Sequence, residues 1–407
     1  MNRIFAFLFI FICATSFSQT ENFWTKKADF GALKRERAVA FSIFGKGYIA
    51  TGVDTSETVC NDLWEYDVML DTWTQKANLP SFVRRDAIGF AIDGKGYVGM
   101  GVDSTESFTG IIHSDFWEYN PASNVWTQKA SYPGGSGGGV YFATAFCLDH
   151  KGYVCGGKVG SATYIDEVWE YKPSTDEWTQ RADFPGGVRY QLSSFVIDNL
   201  AYVGLGVDYN VYKKDIWEYH PGSDTWIQKS DFAGGERGSA CTFTLGERGF
   251  VCLGVDGGLK NDLWEYNPFL DSWTSRASYG GSARKCAVAF AVGGRAFVGT
   301  GNGYSGKKQT IYEYSPVSIL GMEESYSAEE IFVFPNPVSE QFTIENGRNE
   351  NVIYLLFTLE GKLIRSVELS NNTTNRLERN GIDSGVYLLV AKDRSGNRVG
   401  TKKMIFL

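Results

Sequence analysis

The chain has 407 residues, too many for one ordinary core, so it is expected to hold several domains or to repeat itself. Aromatic residues make up 15% of it and glycines number 47 against 10 prolines, a balance that suits an all-β chain of many short strands joined by glycine turns. A formal net charge of -8 has the wrong sign for a protein that must neutralise phosphates, which excludes nucleic acid as a partner.

At the N-terminus, Arg3 precedes an unbroken apolar run from Ile4 to Ile12, followed by small and polar residues ending Ser16-Phe17-Ser18. This pattern predicts a signal peptide over 1–18, cleaved between Ser18 and Gln19. The run is too short to span a hydrocarbon layer, which needs about 20 apolar residues, and no later segment reaches that length, so no transmembrane segment is expected. Ile12 before Cys13 argues against a lipid anchor. Cleavage leaves Cys60, Cys147, Cys155, Cys241, Cys252 and Cys286. An even count in an exported chain permits disulfides, but several of these cysteines lie in apolar strand-like runs, where a thiol behaves as a small buried hydrophobe. Free thiols are expected.

The tripeptide Trp-Glu-Tyr begins at Trp64, Trp117, Trp169, Trp217 and Trp264, with a degenerate sixth copy at Tyr312-Glu313-Tyr314. A second tryptophan follows each intact copy by nine residues, at Trp73, Trp126, Trp178, Trp226 and Trp273. The sixth copy lacks one, and the missing partner stands at the other end of the chain, where Trp24 to Phe30 matches Trp178 to Phe184. Each unit reads as four strands, in the first Ala38 to Ile43, Gly47 to Thr51, Leu63 to Tyr66 and Trp73 to Lys76. The inner two are apolar and glycine-bounded, whereas the outer two alternate. A period near 48 residues with four strands is that of a propeller blade. The repeat resembles kelch repeats, through Gly96-Tyr97-Val98 to Gly101 and through Trp-Glu-Tyr with its second tryptophan. That resemblance implies a six-bladed kelch-type β-propeller over 19–316, closed by a strand around Trp24. The double glycine usual in kelch strands survives only at Gly156-Gly157.

Residues 317–330 carry Glu323, Glu324, Glu329 and Glu330 without the repeat and read as a linker. The segment 331–407 is long enough for a small β-sandwich, with hairpins expected to turn at Glu360-Gly361 and at Ser395-Gly396-Asn397. It resembles the C-terminal sorting domain of cargo for the bacterial type IX secretion system. The matching features are Pro335-Asn336-Pro337, the Glu360-Gly361-Lys362 turn, Gly385 and Tyr387, and the basic then apolar end from Lys402 and Lys403. Ile382 stands where the family pattern usually has leucine. The resemblance implies export from a Gram-negative cell, with release or attachment at the outer-membrane surface. It also makes the secretion machinery a partner of residues 331–407.

Candidate ligand residues follow from the repeat. Thirteen residues before the aromatic of the second strand stand Arg35, Arg84, Arg189, Arg237 and Arg284, with Val140 in the third blade. Six residues after that aromatic stand Asp54, Asp103, Asp208 and Asp256. Both columns are expected at one rim of the propeller, together with His113 on the long loop of the second blade. Arginine forks there could hold sugar hydroxyls or a carboxylate, or could pair with aspartates and carbonyls to fix the blades. The third blade adds the glycine-rich Pro133 to Gly139. No cofactor or metal is expected, because His113, His150 and His220 fall on different faces and no catalytic motif is present. Two functions stay open. One is a non-catalytic extracellular module for a glycan or protein ligand. The other is a metal-independent carbohydrate-active enzyme, similar to kelch-type sialic-acid mutarotases, with Glu36, Glu106 or Glu236 transferring a proton.

Overall fold

The computed structural model describes residues 20–105, 110–318, 332–334, 338–346, 351–358, 363–371, 373–394 and 398–406. The signal segment with Ser18 and Gln19, most of the linker, Glu106, Phe108, Pro335, Asn336, Pro337 and Gly361 lie outside these residues, as does the side chain of Lys403. The chain divides into two compact units, Met1–Leu320 and Gly321–Leu407. Each is taken by itself below.

The first unit is built from six antiparallel sheets of four strands, here lettered a to d in each blade. Blade 1 comprises Val39–Ile43, Lys46–Ala50, Leu63–Asp67 and Thr72–Lys76. Blade 2 comprises Ile88–Ile92, Lys95–Gly99, Phe116–Asn120 and Val125–Lys129. Blade 3 runs Thr144–Leu148, Lys151–Lys158, Tyr164–Lys172 and Glu177–Arg181. Blade 4 runs Ser193–Ile197, Leu200–Gly204, Ile216–His220 and Thr225–Lys229. Blade 5 runs Cys241–Leu245, Arg248–Cys252, Leu263–Asn267 and Ser272–Arg276. Blade 6 takes Val288–Val292, Arg295–Gly299 and Ile311–Ser318 from the end of the unit, and its strand d is the N-terminal Thr20–Lys26. Trp24 there lies opposite Tyr314, as Trp73 lies opposite Tyr66 in blade 1.

Packing between blades explains the repeated residues. Strand b is buried on both faces, which is why it is apolar and carries glycine. A Cβ on Gly47 would sit 2.1 Å from the Phe290 ring of blade 6, so the glycine makes room for the neighbouring blade's phenylalanine. The second tryptophan of each blade donates its indole N–H to a carbonyl at the end of the preceding blade's strand d. Trp126 reaches the Ala77 carbonyl at 2.8 Å, Trp178 that of Ala130 at 2.9 Å, and Trp24 that of Ala277 at 3.0 Å. The turn between strands c and d adds a second link: Asp176 accepts from the Ala130 N–H at 2.9 Å and from the Tyr171 hydroxyl at 2.7 Å.

The ring closes at its centre as well as at its rim. The residue two after each arginine position has a left-handed backbone, and its N–H donates to the corresponding carbonyl of the preceding blade. Arg37 donates to Cys286, Asp86 to Arg37, Phe142 to Asp86, Gln191 to Phe142, Ser239 to Gln191 and Cys286 to Ser239, at 3.0, 3.1, 3.0, 2.9, 3.3 and 3.4 Å. This cyclic chain of six hydrogen bonds encircles the propeller axis and satisfies backbone groups that would otherwise be stranded.

In the second unit, Phe332–Phe334, Gln341–Asn346 and Thr373–Glu378 form one sheet. Leu363–Leu369, Val352–Thr358, Gly385–Lys392 and Arg398–Phe406 form the other, in that order. Val333, Phe342 and Ile344 of the first sheet share a core with Tyr354, Leu356, Leu389, Met404 and Phe406 of the second, the arrangement of a sandwich. Ile382 belongs to that core, so a leucine-sized side chain is retained there. Gly385 has φ of 153°, a backbone open to glycine and strained for other residues. The Tyr387 hydroxyl donates to the Asp383 carbonyl at 3.1 Å.

The six cysteines among the described residues are free thiols, with Cys155, Cys241 and Cys252 buried. Among the described residues no helix is long and apolar enough to cross a membrane.

Candidate ligand site at the channel mouth

Strand a begins and strand b ends on the same face of the ring, and the arginine column lies there beneath the loops. Its guanidinium groups are buried. Arg237 holds Asp262 through two hydrogen bonds of 2.7 and 2.8 Å, donates to the Leu253 carbonyl at 3.0 Å and stacks over Phe232. Arg84 binds Asp115 and Arg189 binds Asp215 in the same two-pronged way, and Arg35 binds Asp62. Arg284 finds the Thr310 hydroxyl instead. The partner is therefore the acidic residue two before each Trp-Glu-Tyr, whose second carboxylate oxygen also accepts the tryptophan indole N–H, as Asp115 does from Trp117 at 2.6 Å. This Asp-x-Trp pattern is visible in the sequence and was the missed signal.

The side chains tie strands within one blade, while the arginine backbones link blades. Gly52 N–H, for example, donates to the Arg84 carbonyl at 2.9 Å. Blade 3 compensates for Val140. Glu167 takes the aspartate's place, and its carboxylate accepts from the Gly135 N–H at 3.0 Å and the Trp169 indole at 2.9 Å. The Nη groups of these arginines are committed to carboxylates, carbonyls and hydroxyls, while Nε of Arg35, Arg189 and Arg237 is buried without a hydrogen-bond partner.

The second column also departs from the expected pairing. Asp54 accepts from the backbone N–H groups of Ser56 and Thr58 at 2.8 and 3.0 Å and shapes its own turn. Asp103 accepts from Ile111 N–H at 2.7 Å, Asp208 lies 3.5 Å from Lys213, and Asp256 lies 2.8 Å from Lys260. The aspartate side chains brace the b–c loops and form no ion pair with the arginines, although Asp54 lies opposite Arg35 in a short strand pair. His113 is buried, stacked on Phe82 at 4.8 Å, with Nε2 3.4 Å from Asp103. Burial and the Arg84 charge push its pKa down against the two aspartates. It lines an open groove of about 810 Å³ between blades 1 and 2, with Ser81, Phe82 and Asp115. The glycine-rich stretch meets this loop: a Cβ on Gly139 would lie 2.0 Å from the His113 carbonyl oxygen, so glycine is required by close approach of the chain to itself.

His150 pairs with Asp93 and His220 with Glu218, away from His113. Among the described residues no group of three metal-ligating side chains comes together.

Irregular residues converge above the central hydrogen-bonded ring. Strand b of blade 3 is longer than its counterparts and carries the double glycine, with a bulge between Cys155 and Gly157. Lys158 follows at the mouth, in the place that Val102 and Val207 hold in blades 2 and 4. Lys158 Nζ lies 5.6, 5.3 and 4.7 Å from the ring centres of Tyr141, Tyr164 and Tyr190. Tyr164 stacks on Tyr190 at 5.0 Å and meets the edge of exposed Tyr209 at 5.1 Å. Nearby, Asp86 accepts from both Arg37, at 3.0 Å, and Arg85. Arg85 also donates through Nε to the Ser104 carbonyl, while its Nη2 is buried without a hydrogen-bond partner. Burial pushes the Asp86 carboxyl up against the pull of both arginines. Burial pushes the Lys158 ammonium down, Asp86 opposes it, and Arg85 and Arg37 add to it. Glu36 is buried beside Arg37 and Lys307, at 3.8 and 3.9 Å, while Glu236 is exposed. Arg85, Asp86 and Lys158 hold positions that every blade possesses but whose residue varies from blade to blade, so no recurring residue type marks them.

Comparison with known proteins agrees with this architecture. Residues 332–406 match the family described as secretion system C-terminal sorting domain, and residues 140–185 match the kelch motif. Kelch-like protein 21 of Bos taurus and that of Mus musculus are each 40% identical over 85 residues, which is 21% of this chain and 13% of theirs. The chain thus spans a small part of those relatives. Among solved structures, the one titled "Structure of YjhT" superposes with a TM-score of 0.59 at 15% identity, over 71% of this chain and 95% of that one, a likeness of fold. The first unit is thus a kelch-type β-propeller. The second is a secretion-system C-terminal sorting domain, which marks the chain as type IX cargo bound for the cell surface or extracellular space.

Proposed function

We propose that this chain is an extracellular binding module of a Gram-negative bacterium that takes a glycan at the mouth of its propeller channel. The observation that carries this reading is the convergence of Lys158, Arg85, Asp86 and the tyrosines at one place where the six-fold repeat is broken. Residues that only hold the blades together recur, as the arginine column does, whereas a ligand has no six-fold symmetry and needs departures from it. Aromatic side chains beside a few placed polar groups are the general make-up of a small-molecule site.

The test is a glycan array probed with the mature protein and with Tyr164→Ala. A reproducible hit, lost in the variant at unchanged melting temperature, is the expected result. A hit that survives in the variant places the ligand elsewhere, for instance in the His113 groove, and a blank array removes the glycan and directs the search to protein partners.

One observation favours a catalytic reading: a buried carboxylate, Asp86, whose proton affinity is raised by burial, shares Arg37 with Glu36 in the mouth. Incubating an array hit with the protein and following anomeric or epimeric exchange by NMR tests it. Exchange no faster than in buffer leaves the binding module alone.

A further inference from the structure

The glycine two residues beyond strand b is followed by Val53, Val102, Val207 and Val255 in blades 1, 2, 4 and 5 and by Asn302 in blade 6, and its counterpart Gly157, within the longer strand of blade 3, by Lys158. Blade 3 thus replaces a small hydrophobe with an ammonium that is 7% exposed and has no carboxylate in ion-pair range among the described residues. Burying a charge without a counter-charge is costly, and three tyrosine faces offset only part of that cost. A residue kept at the expense of stability is kept for something else.

Its surroundings define what that is. Four cations, Arg37, Arg85, Lys158 and Lys307, face three carboxylates, Glu36, Glu57 and Asp86. The surplus is one positive charge. It falls on Lys158 and on the side of Arg85 whose Nη2 is buried and unbonded. Among the described residues, the site is therefore one negative charge short. The tyrosine wall, with Tyr209 65% exposed, offers a flat apolar face beside it. A polyanion is disfavoured, because the chain as a whole carries a net charge of -8 and the mouth lacks a run of unpaired cations.

We propose that Lys158 and Arg85 together hold the single anionic group of a sugar acid whose ring lies on Tyr164, Tyr190 and Tyr209. This deepens the reading of the mouth as a ligand site and rests on it. A carboxylate and a sulfate ester present the same pair of oxygens to an arginine and a lysine, so both belong in the test.

The experiment uses the mature full-length chain and Lys158→Val, which writes into blade 3 the residue four other blades carry and should fold. Calorimetric titrations are run with glucuronate, glucose 6-sulfate, glucose and a tetraglutamate peptide. The expected result is that glucuronate or the sulfate ester binds at least tenfold tighter than glucose. Lys158→Val should lose at least tenfold of that affinity while melting at the same or a higher temperature. Whichever of the two anionic sugars binds more tightly identifies the group. Glucose binding as well as either anion, unchanged affinity in Lys158→Val, no binding of any sugar, or tighter binding of tetraglutamate would each overturn the proposal. A neutral-sugar hit on the array that survives Lys158→Val removes this proposal and leaves the glycan-binding reading in place.

Discussion

A guanidinium group with no exposed surface, such as that of Arg237, must be judged by what remains when it is removed. Asp262 would lose its two-pronged partner, and the Leu253 carbonyl and the Phe232 face would each lose a contact. Breaking a buried pair from one side leaves an uncompensated charge and costs roughly 3–5 kcal/mol. Arg237→Ala is therefore expected to lose about that much stability in chemical denaturation, whereas Lys158→Val should lose none. The same pairs set the acid limit. Burial alone would raise the Asp115 carboxyl, but Arg84, with help from Ser81 and Trp117, holds it down to about 2. A carboxyl depressed in the folded state contributes stability that is fully present above its unfolded pKa, near 3.9. That stability is lost as pH falls through the folded value. Denaturation midpoints should accordingly drop between about pH 4 and pH 2, and Asp115→Asn should flatten that drop while lowering the midpoint at neutral pH. The arginine column was legible in the sequence because it recurs. Its partners were equally visible as Asp-x-Trp, but the neighbouring aspartate column drew attention because it, too, recurs.

Strand Thr20–Lys26 acts at the next scale, that of the element. Without it, blade 6 would end on the unpaired edge of Ile311–Ser318, an exposed template for another chain. The loss would reach into blade 1, because Phe30, 3% exposed, packs its ring against Trp64 and Trp73. Removing a buried phenylalanine alone costs roughly 3–5 kcal/mol. Deleting residues 19–30 should lower the melting temperature by on the order of 10 °C at about 2–4 °C per kcal/mol. It should also promote association at micromolar concentration, both measurable by scanning calorimetry and light scattering. An unchanged thermogram would show that the ring holds without this strand. The element was predictable because Trp24 to Phe30 repeats the outer strand of blade 3 almost residue for residue. The extra length of strand b in blade 3 was not, since the left-handed pair at Gly156-Gly157 has counterparts at Thr51-Gly52, Met100-Gly101 and Leu205-Gly206 and the local composition gives no sign of it.

At the scale of the molecule, closure rests on two concentric circuits, the tryptophan indoles at the rim and the six backbone hydrogen bonds around the axis. The outer circuit was legible, since tryptophan is rare and its spacing regular. The inner one was not, because Arg37, Asp86, Phe142, Gln191, Ser239 and Cys286 have nothing in common except a left-handed backbone. The proposed ligand site stands on that inner circuit, whose residues vary from blade to blade, so the fold was far easier to read from the chain than the site. The second unit obeys a different logic, since its core is drawn from Val333 to Phe406 and the propeller's cores end at Tyr314. A unit with its own core can melt on its own. The mature protein is therefore expected to show two calorimetric transitions, and truncation after Ser318 should abolish one and leave the propeller's midpoint within about 2 °C, a shift of at most about 1 kcal/mol. In the native host the same truncation should hold the protein inside the outer membrane. A truncated propeller that melts early would mean that the sorting domain also supports the fold it delivers.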